Sequence, residues 1–164
     1  MSTTETQYGT IAQALTITLD SLAHAGVRES TLVDNKTNKF VEVMISGTLE
    51  ALASVGVDSY ARIFAYGRIG SGLFTGSATG ADAAYGAAAG QPGIKNLKYL
   101  GTAFVNAATT ESFEWGPFSL KNAFGAIPDE WGVVLEWNDS GASIALHTSG
   151  NVVNYQGIKY ESVA

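Results

Sequence analysis

Two histidines, three tryptophans and one adjacent pair of carboxylates are the side chains here whose types and spacing could do chemistry. His24 and His147 lie far apart in the chain, and neither has a carboxylate or a second ligand at metal-binding spacing. A general base or metal ligand needs a group that orients its other ring nitrogen, so each histidine reads as structural. Asp129-Glu130, directly before Trp131, would suit a glycosidase carboxylate beside an aromatic platform. Pro128-Asp129-Glu130 is also good turn sequence leading into a strand, with its charges in water, and this simpler reading is favoured. Trp115, Trp131 and Trp137 could stack on sugar rings. On one strand, however, Trp131 and Trp137 face the same side as Val133 and Leu135, which marks them as core. Trp115, next to Gly116-Pro117, is open to either reading.

The run Gly70-Ser71-Gly72-Leu73-Phe74-Thr75-Gly76 misses the G-x-G-x-x-G spacing by one residue. It has no P-loop lysine, and no helix follows to turn its N-terminal dipole toward phosphate. There is no G-x-S-x-G elbow and no cysteine, which removes disulfides, thiolate metal sites and a thiol nucleophile. Asn35-Lys36-Thr37 and Asn138-Asp139-Ser140 match the glycosylation pattern but read as turns. The expectation is therefore no catalytic residue, no cofactor and no metal site.

The elements that must position these residues are strands. In 14–19 the odd positions Leu15, Ile17 and Leu19 are large and apolar while the even ones are small or hydroxylated. Residues 40–45 alternate less cleanly, 60–69 (YARIFAYGRI) are rich in aromatic and β-branched residues, and 97–105, 112–120, 131–137, 142–147 and 152–160 are further candidate strands. Asp34-Asn35, Ser54-Val55-Gly56, Asn138-Asp139-Ser140-Gly141 and Ser149-Gly150-Asn151 supply turns. Residues 21–30 could make a helical turn or two, and 81–89 a short alanine helix interrupted by Gly86. About eight short strands at this spacing predict a single-domain, all-β antiparallel fold over residues 11–164, a sandwich or a barrel. Residues 1–10 read as a flexible N-terminal arm.

Length, a hydrophobic content of 46% and a charged content of 15% fit one globular core. A net charge of −6 with thinly spread lysines and arginines argues against a nucleic-acid partner. No segment approaches the roughly 20 apolar residues of a membrane span. MSTTETQYGT has neither the basic start nor the apolar run of a secretory signal.

The anomaly is the glycine- and alanine-rich segment 67–93, in which only Arg68 and Asp82 are charged. Connections longer than about 12–15 residues are uncommon in compact domains and are usually functional or disordered. The segment reads as an assembly loop, with Ile69, Leu73, Phe74 and Tyr85 as interface residues; Tyr8 in the arm is a further candidate.

Several short stretches carry a resemblance, in order: Arg28-Glu29-Ser30-Thr31-Leu32-Val33-Asp34-Asn35-Lys36-Thr37-Asn38, Tyr66-Gly67, and Gly80-Ala81-Asp82-Ala83-Ala84-Tyr85. Leu97-Lys98-Tyr99-Leu100-Gly101, Gly116-Pro117-Phe118-Ser119, Trp131-Gly132-Val133-Val134 and Tyr155-Gln156-Gly157 follow. With these stretches the chain, over about 14–158, resembles the small virion proteins of tailed bacteriophages that decorate or cement the capsid. The resemblance implies a non-enzymatic antiparallel β-sandwich of jelly-roll type, made in the host cytoplasm, that docks on the capsid surface. Its partners would be the major capsid protein and copies of itself, a trimer being favoured. A head-fibre base, tail component or receptor-binding module of the same particle is the alternative, and a carbohydrate-binding sandwich the second alternative.

Overall fold

Alternating apolar residues meet between two antiparallel sheets, as the strand periodicity requires. The structure is a computed structural model and describes residues 3–52, 55–86, 96–105, 111–141 and 144–163. Its strands are β1 (Thr3–Tyr8), β2 (Gln13–Leu15), β3 (Val27–Glu29), β4 (Val33–Asp34), β5 (Glu42–Ala51) and β6 (Ser59–Arg68). They continue with β7 (Ala83–Ala84), β8 (Lys98–Val105), β9 (Glu111–Ser119), β10 (Glu130–Asn138) and β11 (Val152–Val163). Two short helices, α1 (Asn35–Asn38) and α2 (Leu120–Phe124), begin at Asp34 and Ser119, whose side chains accept hydrogen bonds from the first-turn amides of Lys36 and Asn122.

One sheet has the order β1–β11–β5–β9, with β2 also on β11; the other has the order β7–β3–β10–β6–β8, with β4 also on β10. Taking β1 with β2, and β3 with β4, as interrupted single strands leaves eight principal strands besides the small β7. Their pairing is nested: the first with β11, the second with β10, β5 with β9, and β6 with β8. The chain is thus one long hairpin rolled into two sheets, an antiparallel sandwich with the jelly-roll order that the resemblance implies. The connection after β6 is the tip of that hairpin, and the chain ends form its open base.

The core is matched large against small across β10 and β6. Trp131 lies opposite Gly67, Val133 opposite Ala65, and Trp137 opposite Ala61. Trp131 and Trp137 are fully buried, and Trp131 meets Tyr155 of the other sheet edge-on at 5.2 Å. Trp137 Nε1 donates to the Ile144 carbonyl at 2.8 Å. Trp115, left open by the sequence, is also buried and stacks on Phe118 at 5.8 Å. No tryptophan forms an exposed sugar platform.

Four expectations change. Within 1–10, expected as a flexible arm, Thr3–Tyr8 form β1, because the twelve-residue β11 offers, on the side away from β5 and beyond β2, an edge that β1 fills. Of 14–19 only the start is laddered, yet Leu15, Ile17 and Leu19 are all buried as their alternation requires. The helical turn over 21–30 gives way to turns and β3, which pairs with the centre of β10. In 81–89 the alanines at 83 and 84 form β7, while 87–89 lie outside the described residues, as do 142 and 143 of the strand expected over 142–147.

Candidate functional site

The segment after β6 does not hang free: it folds back as a strap over the outer face of β6 and β10. The outward positions Phe64, Tyr66 and Val134 are apolar, so water is removed from them only if something covers them. Phe74, Ala78 and Leu97 do so, with Val27 and Tyr85 at the margin, forming a second small core. Phe74, only 9% exposed, stands edge-on to Tyr66 at 5.3 Å, and the Arg68 guanidinium lies 4.3 Å from its ring centre. At Gly76 the backbone takes φ +68°, and an added Cβ would strike Leu97 and Tyr85, so the turn that seats the strap needs glycine there.

Polar clasps fix the strap at Thr79 and Asp82. Buried Glu29, on β3, accepts hydrogen bonds from the Thr79 amide at 2.8 Å and the Thr79 hydroxyl at 2.6 Å. Asp82 accepts from the Thr18 amide at 2.9 Å, from the Thr18 hydroxyl, and from Arg28 Nε at 2.8 Å. Burial pushes the Asp82 carboxyl up, but the Arg28 and Thr18 hydrogen bonds outweigh it and hold the group below the usual carboxylate range. Tyr66, beneath the strap, donates its hydroxyl to the Ser30 carbonyl at 2.7 Å.

This geometry corrects two expected interface residues. Phe74 is spent inside its own chain, and Tyr85 packs at the margin of the same cluster with its hydroxyl bonded to the Gly76 carbonyl. The run Ile63-Phe64-Ala65-Tyr66 carried the signal, since a strand apolar on both faces must be covered on both. Ile69 and Leu73 remain outside, 80% and 95% exposed. They border a groove of about 340 Å³ whose far wall is Phe124, Ala126, Ile127 and Pro128. Tyr8 is exposed on β1, which belongs to the other sheet.

The carboxylates weighed for catalysis hold this end of the molecule together. Asp129 Oδ2 accepts from the Gly70 amide at 2.7 Å. Glu130 accepts from Arg68 Nε and, at 3.2 Å, from Lys36 Nζ. The Arg68 hydrogen bond prevails over burial and lowers the Glu130 carboxyl. The segments bearing the histidines are neighbours, since the Ser21 amide donates to the His147 carbonyl at 3.0 Å. Their rings serve different partners: His24 Nδ1 accepts from the Asp139 amide at 3.1 Å, and His147 Nδ1 sits 3.2 Å from Glu50 Oε1. Among the described residues no group of three or more His, Cys, Asp or Glu side chains could hold a metal ion, and no helix is long and apolar enough to cross a membrane.

Comparison of the chain with family models, curated proteins and solved structures finds no match.

Strap and sheet are coupled at Gly132, whose added Cβ would fall on the phenol of Tyr66. Gly132→Ala is expected to displace the buried ring and its bond to Ser30, costing about 2 kcal/mol in urea unfolding. An unchanged midpoint would show that the strap and Tyr66 yield freely.

Proposed function

We propose that this chain is a non-enzymatic structural protein of a tailed-phage virion, which decorates or cements the outside of the capsid by bridging neighbouring capsid subunits. The observation that carries the reading is the apolar patch of Ile69 and Leu73 beside the Phe124–Pro128 wall. It stands at the tip of the rolled hairpin, on a base pinned by Asp129, Glu130 and Arg68. Large aliphatic side chains held open to water on a rigid base suit a docking surface better than a solvated loop. The order of short sequence stretches supports the phage assignment, and the engagement of each weighed histidine and carboxylate in local structure supports a binding role. The major capsid protein is the proposed partner and a homotrimer the proposed working form, on the capsid surface. A protein that binds only the assembled shell stabilises it by mass action, and symmetric copies add avidity.

Electron microscopy of shells incubated with the native chain should show density repeating over the capsid lattice. The Ile69→Asp variant, equally folded, should leave those positions empty. Density confined to the tail or to one vertex, or full occupancy by Ile69→Asp, would overturn the reading.

A further inference from the structure

A second exposed surface lies on the outer face of the β6–β8 pair, beside the strap. Strand β8 is an edge strand, and it carries Phe104 at 76% and Tyr99 at 55% exposure. The register sets Phe104 opposite Tyr60, Thr102 opposite Arg62, and Tyr99 opposite Phe64, so these side chains share one face. The row is held in place. Tyr99 meets the ring of Phe64 edge-on at 5.7 Å, and its hydroxyl is 2.6 Å from Thr102 Oγ1. The Arg62 guanidinium lies 5.9 Å from the ring centres of both Tyr60 and Phe64 and is paired with Glu136 on β10.

We propose that this row binds a neutral glycan chain. Exposed aromatic faces accept the C–H faces of pyranose rings, while Arg62, Glu136 and Thr102 exchange hydrogen bonds with the hydroxyls between them. Charge complementarity selects the class of ligand. Glu136 matches the charge of Arg62, and the register turns Lys98 to the opposite face, so among the described residues the row offers a polyanion no unmatched cation on a chain of net charge −6. A dry protein interface would strip water from the Arg62–Glu136 pair and from the Tyr99 and Thr102 hydroxyls, a cost that sugar hydroxyls replace with hydrogen bonds. Sugar chemistry, which the sequence offered to the tryptophans, falls instead to tyrosine and phenylalanine on an edge strand. The proposal is independent of capsid docking, because it uses none of the residues of the Ile69–Leu73 patch.

The test is saturation-transfer NMR and titration calorimetry of the full chain with cellohexaose, xylohexaose, laminarihexaose, mannohexaose and chitohexaose. At least one should bind saturably. Phe104→Ala and Tyr60→Ala should each weaken it about tenfold, the scale of losing one central aromatic contact. Ile11→Ser, at an exposed residue between β1 and β2, should leave it unchanged, and all variants should keep the native melting temperature. Absence of binding across the panel, or undiminished binding by Phe104→Ala, overturns the proposal. So does native self-association that Phe104→Ala abolishes, which would make the face a contact between copies of the chain.

Discussion

Asp139→Ala should unfold in urea with about 4 kcal/mol less stability than the native chain, the largest loss expected from any single polar substitution here. Asp139 is only 3% exposed, at the end of β10. Its Oδ1 accepts from the Gly56 amide at 2.8 Å and the Ser59 hydroxyl at 2.7 Å, and its Oδ2 from the Ile144 amide at 3.0 Å. Alanine would orphan these donors together, and each unsatisfied buried group costs about 1–3 kcal/mol. Asp139→Asn should be nearly as harmful, because whichever way the amide turns, its NH₂ faces a donor. Ser59→Ala, which removes one donor and leaves the carboxylate seated, should cost only about 1 kcal/mol. Equal losses for Ser59→Ala and Asp139→Ala would mean that the carboxylate is not the hub.

The same site gives the chain an acid limit. Burial pushes the Asp139 carboxyl up, but hydrogen bonds from Ile144, Ser59 and Gly56 outweigh it and hold the group far below the usual range. The folded value is the depressed one, so on acidification the unfolded chain takes up the proton first. The stabilisation is complete above the ordinary aspartate value of about 4 and is lost as pH falls below it toward the folded value. Urea midpoints measured from pH 6 down to pH 3 should fall for the native chain and fall less steeply for Asp139→Asn, which has no such proton to gain.

What the sequence disclosed follows from the range over which each signal acts. Strands β5, β10 and β11 carry period-2 alternation over their own residues, and that pattern needs no knowledge of partners. The burial of Trp131 and Trp137 follows from the same parity. Strands β3, β4 and β7 are two or three residues long, too short for periodicity, and exist because β10 and β3 present ladders to them. The nesting of β6 with β8 inside β5 with β9 is a property of distant pairings that no local window contains. The strap was half legible. Its length and low charge singled it out, but Phe74 could not be assigned to its own chain without the apolar outer face of β6 being recognised. The aromatic row on β8 was hidden for a related reason: tryptophan is the more conspicuous sugar-stacking residue, and here every tryptophan has the small or aromatic neighbours that make a core.

Leu73 and Phe74, adjacent in the chain, should respond in opposite ways to substitution. Phe74→Ala removes a ring that packs on Tyr66 and lies beneath Arg68, and should cost about 3 kcal/mol, the lower end for a buried phenylalanine because a surface strap can partly collapse into the space. The loss should be local before it is global. With its anchor gone, the strap opens as a unit, and the Tyr85 amide, bonded to the Val27 carbonyl at 2.9 Å, should exchange its hydrogen faster while the β6 and β10 ladders stay protected. Uncovered Phe64, Tyr66 and Val134 should then bind an apolar dye. Leu73→Asp touches none of this and should stay within about 0.5 kcal/mol of the native stability, while abolishing the proposed attachment to capsid shells. Removing residues 71–86 altogether would therefore confound two effects, since it takes Leu73 from the proposed docking patch and unroofs the second core at once. The point variants separate them: if Phe74→Ala kept native stability and native exchange at Tyr85, the strap would be a mobile loop after all, and the rigid base proposed for the docking patch would be lost with it.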